Sequence, residues 1–350
     1  MKALVYSYAG RLQLGVLDRR LPQALLNFSD SVVVWAEGDT SSPTITNVLA
    51  GKVAEVAKRF PLLYNPDVIF FVTHSSSHTL FNLDWVNKPL IVFWADRWKG
   101  SWDLVVDFLQ AVMRLDKLGG NIHYWAASKG GQSEIKEVTG KDALLIEGRV
   151  PDEVFLFPEE GLMNPPKRDI ILWIGNQLEM RTIPQVWEAL LKAFPDHFLV
   201  CVDPTLDKPP IQDRRVILFK GLNYLKLLRL IAQSKVVVAP YKRDIPYVRK
   251  SNPIKYWEAV ALNVPCVISN IEFSNVGCYR GVFDDDRTAV EFIVETTRKV
   301  LSGEIPPPFL DPETLHRFRV ENWFSLQVAR ALKEVVECSQ LSQFLDTALR

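Results

Sequence analysis

The chain has 350 residues, and 41 Lys and Arg side chains balance 41 Asp and Glu side chains, so the formal net charge is zero. This balance argues against a generally basic nucleic-acid-binding protein. Hydrophobic residues make up 48% of the chain and charged residues 23%, which is typical of a globular protein and excludes a disordered or fibrous one. At about 100 to 200 residues per domain, the length predicts two domains.

The cysteines and the hydropathy pattern indicate the compartment. The four cysteines lie far apart, with no Cys-x-x-Cys pair and no His at metal-ligand spacing, so neither a zinc site nor a disulfide framework is predicted. No apolar run reaches the roughly 18 to 20 residues that span a bilayer, and the N-terminus lacks the pattern of a signal peptide. We therefore expect a cytoplasmic protein.

Apolar runs of strand length alternate with helical patterns along the first half of the chain. The predicted strands are Lys2–Tyr8, Ser31–Ala36, Asp67–Thr73, Pro89–Ala95, Ile122–Ser128 and Ala143–Gly148, with predicted helices at Asn47–Phe60 and Ser101–Leu118. Strands without polar alternation that are separated by helices indicate a parallel sheet covered on both faces.

The alternation breaks at Phe157–Asp169, where a Gly, three prolines and mixed charges indicate a linker. It then resumes with predicted strands at Asp169–Gly175, His197–Asp203, Val216–Gly221, Lys235–Tyr241, Pro265–Ser269 and Gly281–Asp284, and a helical stretch follows from about Glu321 to Arg350. The sequence thus predicts an α/β protein with two doubly wound, Rossmann-like domains facing across a cleft. We place the domains at residues 1–160 and 161–318, followed by a helical segment at 319–350.

The zero net charge conceals a local excess of cations. Residues Lys208 to Lys255 include twelve basic and two acidic residues, a local net charge of +10. The run ends just before a predicted helix, whose N-terminus favours anions through its free N–H groups and dipole. A phosphate site is one interpretation, and a solvated face is the other. A nucleic-acid patch is less favoured because only Tyr241 and Tyr247 lie nearby for base stacking.

The segment Ser251–Asn270 has the residues of an anion site at a helix start. Ser251 and Asn252 are natural N-cap residues, and a Pro follows where the first helical turn begins. Lys255 is close enough to add a point charge to the same anion. Glu258 lies on the same helix face as Lys255, and its carboxylate is suited to accept the hydroxyls of a ribose. An ordinary amphipathic helix with a surface ion pair is the alternative.

This segment resembles the signature of GT-B fold glycosyltransferases of the family 4 type, in which a loop and helix bind the nucleotide diphosphate of a sugar donor. The matching positions are Ser251, Pro253, Lys255, Glu258, Ala261, Pro265 and Val267. Asn263 replaces a common Gly, and Cys266 replaces a common Val. Lys250 stands where the family carries the first of two glutamates.

Other segments resemble the same family in the same order. Asp142–Pro158 is similar to the stretch that closes its N-terminal domain, and Arg317–Val335 to the terminal helix that crosses back onto that domain. The resemblance implies a donor site made of Gly175, Arg181, Gly221, Ser251, Asn252, Lys255 and Glu258, in which Arg181 contacts the pyrophosphate and the backbone near Gly221 meets the base.

In this family the acceptor side of the site comes from loops after the N-terminal strands. His74 and His78 follow the third predicted strand, and Asp96 follows the fourth. These three residues are the candidates for the general base that an acceptor hydroxyl requires when the configuration inverts. Each also has a structural explanation: His74 ends a strand, His78 lies near a helix start, and Asp96 pairs with an arginine.

Two further motifs concern metals and the acceptor. The run Asp284–Asp286 precedes a helical pattern, so we interpret it as a helix cap and expect no metal ion and no cofactor beyond the nucleotide sugar. Trp94, Trp98 and Trp102 lie beside basic residues, a combination found at membrane surfaces and in sugar-binding clefts as well as in cores. A glycan, a lipid-linked acceptor and peripheral contact with the inner face of a membrane all fit this composition.

The sequence therefore predicts a glycosyltransferase that moves a sugar from a UDP- or GDP-linked donor to an acceptor hydroxyl. Two alternatives keep the fold. One is a glucosyltransferase that modifies a nucleic acid, a partner that the charge balance makes unfavourable. The other is a non-catalytic nucleotide-sugar-binding protein, which the missing first Glu suggests.

Overall fold

The computed structural model of the protein describes residues 1–7, 16–36, 64–72, 88–94, 112–114, 116–117, 120–156, 165–175, 178–245 and 249–348. The chain divides into two compact units. The first unit combines Met1–Gly148 with Asn322–Arg350, and the second is Arg149–Glu321. Most of the predicted linker, residues 157–164, lies outside the described residues.

The elements of the first half of the chain build a parallel sheet. They are β1 (Lys2–Ser7), α1 (Val16–Leu26), β2 (Ser31–Ala36), β3 (Val68–Val72), β4 (Leu90–Trp94), β5 (Ile122–Ala126), α2 (Lys129–Thr139) and β6 (Leu144–Leu145). The described strands lie in the order β2-β1-β3-β4-β5-β6, and every neighbouring pair is parallel. All residues of β3 and β4 are buried, which explains why their sequences are continuously apolar.

The predicted strands of this unit are confirmed, although β6 pairs over only two residues. The predicted helix Asn47–Phe60 lies outside the described residues, as does most of the predicted helix Ser101–Leu118. Helix α2 shows how local sequence sets an element's ends. Ser128 accepts a hydrogen bond from the N–H of Gly131 at its start, and Gly140 ends it at φ 70°.

The second half of the chain repeats the architecture. Its elements are α3 (Glu153–Leu156), β7 (Ile170–Ile174), α4 (Leu178–Arg181), α5 (Gln185–Ala193), β8 (Phe198–Val202), β9 (Val216–Phe219), α6 (Tyr224–Gln233), β10 (Val236–Pro240), α7 (Ile254–Ala261), β11 (Cys266–Ser269), β12 (Cys278–Gly281), α8 (Asp286–Leu301), α9 (Pro312–Glu321), α10 (Phe324–Lys333) and α11 (Ser339–Ala348). The second sheet has the parallel order β12-β11-β10-β7-β8-β9.

The last predicted strand of the second unit is placed wrongly. We expected Gly281–Asp284, whereas β12 is Cys278–Gly281. As the edge strand, β12 keeps Tyr279 partly exposed and Arg280 exposed, so it lacks the apolar run that identifies the buried strands. The predicted stretch Gly281–Asp284 (GVFD) has a more apolar sequence at its centre than β12 has. In the structure it begins at the last residue of β12 and leads to Asp285, the N-cap of α8.

The C-terminal stretch from Glu321 forms α10 and α11, which pack against the first sheet and α1. Phe324 stacks on Phe93 of β4 with ring centroids 6.3 Å apart, and Phe344 contacts Phe28 at 5.3 Å. These aromatic contacts bury the apolar faces of both helices within the first unit. No helix of the described residues has the length and apolar character needed to cross a membrane.

Candidate functional site

The topology of the second sheet directs attention to the carboxyl end of β7. The chain starts at β7, builds β8 and β9 on one side, and then returns to place β10, β11 and β12 on the other. The loops after β7 and β10 therefore diverge, and such a switch point is where open α/β sheets bind ligands. Gly175 follows β7, Tyr241 follows β10, and Lys255 and Glu258 lie on α7. We call these four residues the switch-point site.

Lys255 is the most unusual residue of this site, because the ammonium group of its side chain is buried. It is 8% exposed, and its Nζ lies 3.5 Å from the centroid of the Trp173 ring and 5.1 Å from that of Tyr241. Among the described residues, no carboxylate oxygen lies within the 4.0 Å of an ion pair with this ammonium. The aromatic rings are therefore its principal neighbours.

Burial lowers the pKa of Lys255 from 10.5 to about 7, because the charged form loses its hydration. The nearby guanidinium of Arg181 lowers it further. The carboxylates of Asp203 and Glu258 act in the opposite direction. An anion placed beside Nζ would favour the charged form further, since burial outweighs the attraction of these acidic groups.

Helix α7 presents its N-terminus at the same place. Its N-cap residue is Pro253, which makes no capping hydrogen bond through its side chain. Our expectation that Asn252 caps the helix is wrong: its Oδ1 accepts a hydrogen bond of 2.6 Å from the Trp257 indole, and its carbonyl accepts one of 3.1 Å from Arg149. Both bonds fix the buried Asn252 and the approach to the helix. Ser251 is half-buried beside it.

Gly175 allows the close approach of Lys255 to β7. A Cβ at this position would lie 2.8 Å from Cζ2 of Trp173 and 3.2 Å from the Nζ of Lys255. Any side chain would therefore displace the ammonium or the ring. The glycine predicted from sequence has a steric reason in the structure, and that reason is the space which Lys255 occupies.

Glu258 is 4% exposed and lies one helical turn after Lys255. Its Oε1 accepts a hydrogen bond of 2.8 Å from the hydroxyl of Tyr224, the first residue of α6. This contact fixes the rotamer of the carboxylate. Each carboxylate oxygen has two lone pairs, so Glu258 retains capacity for hydroxyl donors.

We expect Tyr224→Phe to weaken binding of a ribose-containing ligand about three- to tenfold, because it removes one hydrogen bond that orients Glu258. Calorimetric titration with UDP measures the effect. The matched control is Tyr279→Phe on the edge strand β12 of the same unit, which should bind as the wild type does. Equal affinity of Tyr224→Phe and wild type would show that Glu258 does not depend on this contact.

The remaining predicted donor residues have different environments. Arg181 ends α4, is half-buried, and lies close enough to Lys255 to lower its pKa. Gly221 is exposed, and no atom of the described residues lies within 4 Å of a Cβ built there, so the described geometry does not require a glycine. The structure brings Arg181 to Lys255, whereas the role of Gly221 stays a prediction.

Ion pairs neutralise part of the +10 segment, holding five of its twelve cations. Ion pairs to carboxylates outside the segment hold four of its cations: Lys220 with Asp207, Lys235 with Asp169, Arg243 with Asp284 and Arg249 with Glu272. Arg215 pairs with Asp213 within it. Of the cations in the segment, Lys255 belongs to the switch-point site, and its contact with an anion stays a prediction.

Two departures from the family signature receive a structural account. Asn263 adopts φ 57°, a left-handed conformation that Asn tolerates better than most residues. Its side chain also exchanges two hydrogen bonds of 2.9 Å with the backbone of Phe309. Lys250, at the position of the first family Glu, is exposed and lies immediately before the segment that leads to α7.

The aspartate run and the first tryptophan are structural. Asp285 caps α8, since it accepts a hydrogen bond of 2.8 Å from the N–H of Thr288, and this contact helps to lower its pKa. Trp94 is 1% exposed and donates to Glu134 at 2.8 Å, so it belongs to the core of the first unit. Within the described residues, no cluster of three His, Cys, Asp or Glu is arranged to hold a metal ion.

The three acceptor-side candidates, His74, His78 and Asp96, lie outside the described residues, as do Trp98 and Trp102. Sequence reasoning missed Trp173, Tyr241 and Tyr224. Trp173 lies two positions before Gly175 in the chain. A tryptophan near the end of a buried strand is common in protein cores, so the sequence does not indicate that the ammonium of Lys255 contacts its ring.

No protein-family model matches the chain, and no curated protein matches it either. Solved structures do. The glycosyltransferase AviGT4, involved in avilamycin A biosynthesis, is 16% identical, with a TM-score of 0.61 over 99% of this chain and 98% of its own.

Two other solved structures have different activities. An alpha-glucosyltransferase in complex with UDP-glucose and DNA containing an abasic site is 13% identical, with a TM-score of 0.58 over 100% of both chains. The UDP-GlcNAc 2-epimerase of Neisseria meningitidis, bound to UDP-GlcNAc, is 13% identical, with a TM-score of 0.56 over 95% of this chain and 100% of its own. These similarities confirm the GT-B fold, with two Rossmann-like units.

Proposed function

We propose that this protein is a glycosyltransferase that binds a nucleotide sugar at the switch-point site of its second unit. In the reaction, an acceptor hydroxyl oxygen attacks the anomeric carbon of the donor sugar. The bond between that carbon and the diphosphate oxygen breaks, a glycosidic bond forms, and the nucleoside diphosphate leaves with the bonding electrons. The hydroxyl proton passes to a general base, for which Asp96, His74 and His78 are the candidates.

The observation that carries the proposal is Lys255, a buried ammonium that has aromatic neighbours and belongs to the first turn of α7, whose N-cap residue Pro253 makes no capping hydrogen bond through its side chain. A diphosphate provides the missing negative charge, and the first-turn N–H groups of α7 donate to its oxygens. Arg181 adds a second cation near Lys255. These groups also stabilise the charge that develops on the leaving diphosphate.

Glu258 supports a nucleotide rather than a free diphosphate as the ligand. Its carboxylate is oriented by Tyr224 and lies one turn from Lys255, so the ribose hydroxyls of a nucleotide whose phosphates contact Lys255 are its natural donors. Two of the three similar solved structures hold a nucleotide sugar, UDP-glucose in one and UDP-GlcNAc in the other.

A thermal-shift screen with UDP-, GDP-, ADP- and dTDP-sugars tests the proposal, because a ligand that binds only the native state raises Tm by mass action. We expect at least one uridine or guanosine nucleotide sugar to raise Tm, and the effect to disappear in Glu258→Ala. The absence of any shift with all four nucleotide classes would contradict the donor site. Release of nucleoside diphosphate in the presence of an acceptor then distinguishes an enzyme from a non-catalytic binder.

We propose that transfer requires no metal ion, because Lys255, Arg181 and the α7 N-terminus supply positive charge for the diphosphate. Chelation by EDTA should therefore leave the rate of nucleoside diphosphate release within about twofold of the untreated rate. A loss of activity that Mg²⁺ or Mn²⁺ restores would show instead that a cation completes the site.

The acceptor is proposed to be a glycan, a lipid-linked glycan or a small molecule. The fold is shared with a glucosyltransferase solved with DNA, so a nucleic-acid acceptor is the competing candidate. Ion pairs hold five of the twelve cations of the basic segment, and this partial neutralisation disfavours a nucleic-acid acceptor. A DNA affinity that falls steeply with salt would favour the nucleic-acid acceptor instead.

A further inference from the structure

The environment of Lys255 poses a physical problem that the donor site alone does not explain. An ammonium transferred from water into a protein interior normally requires a carboxylate partner, or it loses its proton. Lys255 has neither a carboxylate within ion-pair distance among the described residues nor full access to solvent. Instead, its Nζ lies 3.5 Å from the centroid of the Trp173 ring and 5.1 Å from the centroid of the Tyr241 ring.

We propose that Trp173 and Tyr241 together take the place of a counter-ion for Lys255, so that the ammonium is held at the switch-point site without a carboxylate that a diphosphate would have to displace. The inference rests on the proposed donor site for its consequence, but the contact between the rings and Lys255 exists without any ligand. Both aromatic residues are then positioning residues, since they act through Lys255.

The two rings come from the strands that flank the switch point. Trp173 is on β7 and packs edge to face against Tyr241, which directly follows β10, with ring centroids 5.9 Å apart. Gly175 leaves the space between β7 and α7 open, so Nζ can approach the indole. An indole face is the most favourable aromatic surface for a cation, and the interaction is strongest where water is excluded.

Other charged groups lie near Lys255, but no carboxylate oxygen of the described residues is within ion-pair distance of its ammonium, and the nearby carboxylates accept hydrogen bonds elsewhere. Arg181, from α4, repels the ammonium, while Asp203 at the end of β8 accepts hydrogen bonds of 2.8 Å from the N–H groups of Leu178 and Thr205. Glu258, on the same helix as Lys255, accepts from Tyr224. The Cys266 thiol on β11 is buried, and burial raises its pKa well above the ordinary value, so it stays neutral.

This arrangement makes donor binding dependent on pH with a defined sign. The pKa of the ligand-free Lys255 is about 7, and a bound diphosphate raises it by favouring the charged form. Between these two pKa values, binding takes up a proton. Affinity should therefore be constant below about pH 7 and fall with increasing pH above it, by up to about tenfold per pH unit.

The ligand-free arm of the test measures the pKa of Lys255 by NMR of ¹³Cε-labelled lysine, with the resonance assigned by its loss in Lys255→Arg. We expect a midpoint near 7 in the wild type, lowered by about one pH unit in Trp173→Leu and by less in Trp173→Phe, which keeps a smaller ring. Urea unfolding of each variant establishes that it folds. A midpoint that is unchanged in folded Trp173→Leu would overturn the proposal whether or not a nucleotide binds.

The second arm measures the affinity for UDP-glucose by titration calorimetry between about pH 6 and pH 9, where the two phosphates of this diphosphate diester do not titrate. Wild type should lose affinity as the pH rises, whereas Lys255→Arg, which stays charged, should show a flat profile. A flat wild-type profile would overturn the proton uptake while leaving the donor site intact. Absence of binding at every pH, together with the expected NMR midpoints, would overturn the donor function and leave the aromatic contact established.

Discussion

Lys255→Met should bind UDP about 10- to 150-fold more weakly than the wild type at neutral pH, the result of losing about 1.5 to 3 kcal/mol of charge-assisted hydrogen bonding to the diphosphate. Methionine keeps the length and the apolar contacts with Trp173, so the loss isolates the charge. Titration calorimetry with UDP measures the dissociation constant. Lys192→Met, which removes an exposed lysine from α5 in the same unit, is the matched control and should bind as the wild type does.

The same variant makes a second, ligand-independent prediction about stability. Because the folded-state pKa of Lys255 lies below its unfolded value of 10.5, the unfolded chain binds the extra proton between about pH 7 and pH 10. The free energy of unfolding of the wild type should therefore contain a contribution that rises with pH through this window. Lys255→Met should lack that contribution and unfold at higher urea concentration at neutral pH. Wild-type affinity in Lys255→Met would contradict the central role of this residue.

Asp96→Asn should lower kcat of sugar transfer by about 100- to 10,000-fold, because asparagine keeps the size and hydrogen-bonding capacity of the side chain but cannot accept the acceptor's proton. Asp96 follows β4 in a parallel sheet, and the carboxyl ends of such strands are where catalytic groups of this fold class are placed. Steady-state rates of nucleoside diphosphate release with a competent acceptor provide the measurement.

The dissociation constant for UDP should not change in Asp96→Asn, since the donor contacts belong to the second unit. His74→Ala and His78→Ala are the companion variants, and we expect smaller decreases in kcat from both. Should one of the histidine variants lose activity while Asp96→Asn retains it, the base would be that histidine. Full activity in all three variants would contradict a side-chain base at these positions.

The fold was largely predictable because its signal is local and repeated. Buried parallel strands such as β3, β4 and β7 consist entirely of apolar residues, so a run of five or more of them identifies each strand without knowledge of its neighbours. The exception was β12, whose position at the sheet edge leaves Arg280 exposed and removes the signal. Edge position is a property of the assembled sheet.

The candidate site was predictable only in part. The spacing of Lys255 and Glu258 on one helix face follows from the helical repeat, and the Gly after β7 was predicted from the family resemblance. The capping role predicted for Asn252 was wrong, because Pro253 is the N-cap and the indole of Trp257 donates to the Asn252 side chain instead, while Arg149 donates to its carbonyl. Those two partners reach Asn252 only through tertiary packing.

The sequence by itself determined the alternation of strands and helices, the two-part organisation of the chain and the placement of one lysine and one glutamate at a helix start. These properties depend on residues a few positions apart, which interact in the same way wherever the helix or strand lies. The tertiary structure decided that Lys255 is buried, that Trp173 and Tyr241 face its ammonium, and that five of the twelve cations in the basic segment form ion pairs. Burial, and the identity of the groups around a charge, depend on the order in which the strands assemble, and no local period in the sequence encodes that order.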